Sequence, residues 1–197
     1  MMYDGNGWDN REDGSMSDVE WPIWTLELTG SASTSDSYPL EIGVACLTSP
    51  DATIVTWQTP ISPLSIEGWD VPSDAVLKAV GMDRATLVGG TSPFDLANTL
   101  NDVFMTAKVY GRGGTNDVHL ANRLNLAAKT WPTYSMCHWK SLNERTTDRA
   151  DEAWRIIAAA TGDAGDRAGG ILKAIAAVMG HSPGTRRVPT MSVSLPF

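Results

Sequence analysis

The 197-residue chain is short of the residue types that serve metal, redox and membrane chemistry. Its two cysteines, Cys46 and Cys137, sit in apolar stretches with no CxxC spacing. That excludes a cysteine-built metal centre or a disulfide framework and leaves two reduced core thiols. The three histidines, His119, His138 and His181, show no metal-ligand spacing. No apolar run approaches the ~18 residues a membrane span requires. The first residues are acidic and lack the apolar core of a signal peptide, so a cytoplasmic location is expected. Positive charge is scarce too, with 15 Lys and Arg against 23 Asp and Glu. No basic stripe is visible, which counts against tight, metal-independent binding of a phosphate backbone.

What is present suffices for one folded domain. The hydrophobic share is 42%, enough for a core. The net charge of −8 is unevenly spread: six acids against Arg11 place −5 in residues 1–20, leaving −3 for the rest. The acidic segment 1–20 is rich in Gly, Asp, Asn and Ser and reads as a disordered tail. Residues 21–180 form the expected domain, and 181–197, with three prolines, an extended C-terminal tail. The eight tryptophans are scattered and read as core and rim packing, without the spacing of a base-stacking platform. The run Gly111-Arg112-Gly113-Gly114 matches no phosphate-loop pattern and reads as a tight strand-to-helix turn.

Periodicity gives the element order. Trp21–Leu28, Glu41–Leu47 and Ala52–Thr59 read as three strands on short loops, an antiparallel meander. Helical spacing follows over Ser73–Val80 and Pro93–Phe104, then a short apolar strand over Ala107–Tyr110. In the next helix Asp117, Leu120, Ala121 and Leu124 share one face. Helices over Asp148–Ala160 and Arg167–Met179 close the domain, with Gly180 as the stop. Such an order implies an α/β fold: a mixed sheet covered by helices on both faces, its fourth strand parallel to the first.

Four stretches then carry a resemblance. Thr25-Leu26-Glu27-Leu28-Thr29-Gly30 is followed by Tyr38-Pro39-Leu40-Glu41-Ile42-Gly43. Asn116-Asp117-Val118-His119 opens a helix after a short strand, and Thr147-Asp148-Arg149-Ala150-Asp151-Glu152-Ala153 opens a late helix. In this order they resemble the three motifs of the DEDD superfamily of 3′–5′ exonucleases over about residues 21–160. The resemblance implies a ribonuclease-H-like three-layer fold and a site built from Glu27, Asp117 and Asp151. It also implies Mg²⁺ or Mn²⁺, and a single-stranded RNA or DNA 3′ end as substrate. Hard divalent ions take oxygen ligands, and two of them can hold the attacking water and the leaving oxygen of a phosphodiester.

The chain departs from the family pattern at two positions. Thr25 stands where the first motif has its bridging Asp, and Thr146 where the third has its His. A one-turn slip would put Asp148 in the acid's place and Asn143 in that of the His, and His138 is a further candidate base. Two readings follow. One is a metal-dependent exonuclease with a weakened site; the other is an inactive exonuclease-fold protein that binds or inhibits a protein or nucleic-acid partner. In either case Glu27 and Asp117 are expected within about 7 Å of each other, with Asp151 or Asp148 facing the same cleft.

Overall fold

The computed structural model describes residues 20–31, 37–112, 115–142 and 150–189. Thr146, Asp148, Asn143 and the acidic segment before Glu20 lie outside them. Six strands form one sheet: β1 (Ile23–Gly30), β2 (Pro39–Leu47), β3 (Ile54–Pro60), β4 (Lys108–Gly111), β5 (Ser135–His138) and β6 (Thr185–Arg187), in the order β5-β4-β1-β2-β3-β6. β1, β2 and β3 pair antiparallel, as the short loops between them demand. β4 runs parallel to β1, the expected consequence of helices intervening between β3 and β4.

Alternation along β1 sorts its side chains onto two cores. Trp24, Leu26 and Leu28 join one buried cluster with helices α1 (Asp74–Ala79), α2 (Arg84–Val88), α3 (Pro93–Phe104) and α4 (Thr115–Ala127). Ile23 joins the other, with Trp139, α5 (Ala150–Ala159) and α6 (Ala164–Val178). The sheet is therefore the middle of three layers, and β2, between its neighbours, is buried along its whole length. On α4, Asp117, Leu120, Ala121 and Leu124 are all buried, so the shared face read from their spacing is the packed one. Among the described residues no helix is long and apolar enough to cross a membrane.

Three features differ from the sequence reading. β5 occupies a stretch expected as loop; its four residues are half-buried or exposed and carry no strong strand pattern. α6 begins at Ala164, three residues early, because the Asp163 side chain caps it by accepting from the Asp166 N–H at 2.9 Å. The segment after residue 180 contributes β6, which pairs parallel with β3 at the sheet's outer edge. From β6, Arg187 grips the start of α6 with Nη1 on Asp163 Oδ2 at 2.7 Å and Nη2 on Asp166 Oδ1 at 2.6 Å.

The contact between α6 and β2 is the tightest in the fold. A Cβ built on Gly43 would stand 1.9 Å from the Ala164 carbonyl carbon and 2.2 Å from the Gly165 nitrogen. Glycine is required here because one backbone rests directly on another. Gly43→Ala must push α6 off the sheet and is expected to cost about 3 kcal/mol, read as a fall in the denaturant midpoint. An unchanged midpoint would mean that α6 docks elsewhere.

Candidate active site

The site lies where the parallel strands β1 and β4 end, the usual place for a cleft in an open α/β sheet. Glu27 comes from β1 and is 5% exposed. Asp117 comes from the first turn of α4 and is 8% exposed. Gly111 at the end of β4 leaves it room: a Cβ there would stand 3.2 Å from Asp117 Oδ2. The negative charge of Asp117 is the second cause, after burial, of a raised Glu27 pKa. Burial raises the pKa of Asp117 as well, opposed by a hydrogen bond from the Leu28 N–H and by Arg112 and Arg167.

Two arginines offset this buried negative charge. The Arg112 backbone N–H donates to Glu27 Oε1 at 3.2 Å, and its guanidinium donates to the Ile157 carbonyl at 3.0 Å, which ties the site to α5. Arg167, on α6, brings Nε to 3.8 Å from Glu27 Oε2 and Nη2 to 3.9 Å from Glu41 Oε2. Nη2 also donates to Thr29 Oγ1 at 2.5 Å, and Nη1 to the Gly162 carbonyl at 2.7 Å. Neither arginine figured among the sequence candidates. One signal was available: a basic residue in the first turn of a helix opposes the helix dipole and needs a reason.

Glu41 has a structural task that fits its place in the Pro-x-Glu-Ile-Gly strand. Its Oε2 accepts from the Ala164 N–H at 3.1 Å, satisfying one orphan donor at the start of α6. Burial raises its pKa, while that bond and Arg167 pull the other way. Asp151 stands exposed in the first turn of α5. The charges that act on Glu27 are Asp117, Arg112 and Arg167, those that act on Asp117 are Arg112 and Arg167, and Asp151 is among neither. His138, at the exposed end of β5, accepts from the Lys140 N–H through Nδ1 at 3.0 Å. Beside the carboxylates opens a cleft of about 1360 Å³, walled by Thr29, Glu41, Gln58, Asp163, Arg167 and, from α4, His119.

The donor set does not fit a pair of divalent ions. Thr25 is fully buried, and its hydroxyl donates to the Ala168 carbonyl of α6 at 2.8 Å. Glu27 and Glu41 already face a guanidinium. Among the described residues no group of three or more His, Cys, Asp or Glu side chains is arranged to hold a metal ion.

No family model matches the chain, and no curated protein does. Solved structures do. The zinc-bound complex of Escherichia coli ExoI with single-stranded DNA superposes with a TM-score of 0.57 at 9% identity, over 80% of this chain and 39% of that one. The moderately thermophilic exonuclease I of Methylocaldum szegediense gives 0.47 at 10% identity, over 66% and 30%. The chain spans about two-fifths of the length of the E. coli protein. The chain shares the fold of that E. coli exonuclease, a ribonuclease-H-like mixed α/β sheet flanked by helices, as the element order implied.

Glu27 gives the site a pH signature. Its pKa is raised from 4.5 to about 7, with burial the largest cause. The folded protein thus holds this proton more tightly than the unfolded chain. The associated stability is fully present below about 4.5 and drains away as the pH climbs through 7, a difference of about 3 kcal/mol. Glu27→Gln keeps the shape without the charge. Measured by denaturant unfolding between pH 4 and 8, the variant's stability relative to the wild type should rise by about that amount as pH increases. A constant gap would show that Glu27 ionises as freely in the fold as in water.

Proposed function

We propose that this chain is a non-hydrolysing module on an exonuclease fold, which binds its partner without cutting it. The observation that carries this reading is the state of Thr25. Two-metal phosphodiester hydrolysis relies on carboxylate charge to keep both ions in place, and a bridging acid is the one that would touch both. Thr25 supplies no charge, and its hydroxyl is committed to the Ala168 carbonyl beneath α6. The hydrolytic reading, with Glu27, Asp117 and Asp151 as ligands of Mg²⁺ or Mn²⁺, retains the first two as a buried pair but lacks the bridging charge.

The cleft's lining favours a particular kind of partner. Glu41, Asp83 and Asp163 outnumber Arg167 along it, and the chain carries −8 overall. Such a surface repels a phosphate backbone and attracts a cationic protein surface. A single-stranded 3′ end is the competing ligand, suggested by the DNA in the E. coli complex.

A 3′-labelled DNA or RNA strand incubated with the protein and either Mg²⁺ or Mn²⁺ should keep its full length. Thr25→Asp should not restore cleavage, since the new carboxylate would be buried against the Ala168 carbonyl and cost about 2 kcal/mol or more in stability. In fluorescence anisotropy at low salt, a labelled oligolysine peptide should bind more tightly than the labelled strand. Rapid metal-dependent shortening of the strand, abolished by Glu27→Ala, would establish the hydrolytic reading instead.

A further inference from the structure

We infer that the Arg167 guanidinium is the resident cation of this site, standing between Glu27 and Glu41 where a divalent ion would otherwise be held. Neutralising Arg167 should therefore turn the pocket into a divalent-cation site. The inference goes beyond the absence of cleavage: it names the group that fills the site and says what its removal creates.

Its contacts are those of a cation in a built cradle. The guanidinium reaches two carboxylates at 3.8 and 3.9 Å, the Thr29 hydroxyl and the Gly162 carbonyl, and the side chain is only 21% exposed. These are all oxygen groups, the donor type that hard cations such as Mg²⁺, Mn²⁺ and Ca²⁺ take. Arg167 also sits where helix electrostatics disfavour it, in the first turn of α6 beside the positive end of the dipole. The carboxylates hold it there against that field. It has little freedom to leave, because α6 is fixed by the Gly43 contact, by the Ala164 N–H on Glu41 and by Thr25 on Ala168.

Charge gives the same answer. Glu27, Glu41 and Asp117 stand with Arg112 and Arg167 in the site, while Asp163, which also acts on Glu41, is paired with Arg187. Remove the Arg167 charge and, with the carboxylates ionised, two negative charges remain uncompensated, the charge of one divalent ion. With Arg167 present, an ion at that place would meet a like charge within about 4 Å, a repulsion that disfavours it even at an effective dielectric constant of 20.

Manganese tests this directly. After chelator treatment, wild type, Arg167→Ala, Arg167→Lys and the double variant Arg167→Ala with Glu27→Ala are titrated with Mn²⁺. Free ion is followed by electron paramagnetic resonance and stability by thermal unfolding. Arg167→Ala should bind one Mn²⁺ at least about tenfold more tightly than wild type, with its unfolding midpoint rising on addition of the metal. Wild type and Arg167→Lys should show neither effect, and the double variant should lose both. If Arg167→Ala is unfolded without metal, Mn²⁺ should fold it and fail to fold the double variant. Failure to fold either overturns the inference, as does a folded Arg167→Ala that binds no better than wild type. The two proposals fail separately. Mn²⁺ bound by the wild type through Glu27 without strand cleavage removes the resident cation and leaves the non-hydrolysing module. Cleavage by the wild type, with Arg167→Ala still gaining an ion, removes only the latter.

Discussion

Backbone resting on backbone is the constraint from which the site follows. Because β2 has no side chain at Gly43, the first turn of α6 settles directly onto the sheet, closer than any residue with a Cβ would allow. That approach brings the Ala164 N–H within reach of Glu41 and the Ala168 carbonyl within reach of Thr25. It also lays Arg167 across the end of β1. Each polar contact of α6 with the sheet depends on the distance that one glycine sets.

Once the helix is seated, the balance of burial against charge governs the site. Glu27, Glu41 and Asp117 are nearly out of water, and desolvation is the leading cause of the raised pKa of each. Isolated buried carboxylates would simply stay protonated. Arg112 and Arg167 oppose that, leaving Glu27 poised near neutrality rather than fixed in one state. Such compensation can come from bound cations or from basic side chains. Here two side chains supply it, and they are part of the helix and the turn that form the walls.

The layered architecture was legible because it rests on strong local signals. The meander follows from short loops between apolar runs, and the buried face of α4 from Leu120, Ala121 and Leu124 at helical spacing. Glu27 and Asp117 were picked out by motif order, and both are buried. Asp151 was picked out by the likeness of Thr147–Ala153 to a motif, and it stands exposed in the first turn of α5. Arg167 and Arg112 were passed over because, apart from the helix-dipole signal at Arg167, their significance lies in long-range packing: Arg167 meets Thr29 across 138 positions and Arg112 meets Glu27 across 85. β5 and β6 are short, poorly patterned strands, formed because a sheet edge offers them backbone partners.

The clasp of Arg187 on Asp163 and Asp166 bears on how the molecule comes into being. β1 and β2 leave the ribosome early and can pair as soon as they emerge. Their acidic residues then wait for α6, more than a hundred residues later, and for the strand behind it that fastens the helix start. Contacts of such long sequence separation form slowly. Until α6 is made, Glu27 and Glu41 have neither Arg167 nor the Ala164 N–H to meet.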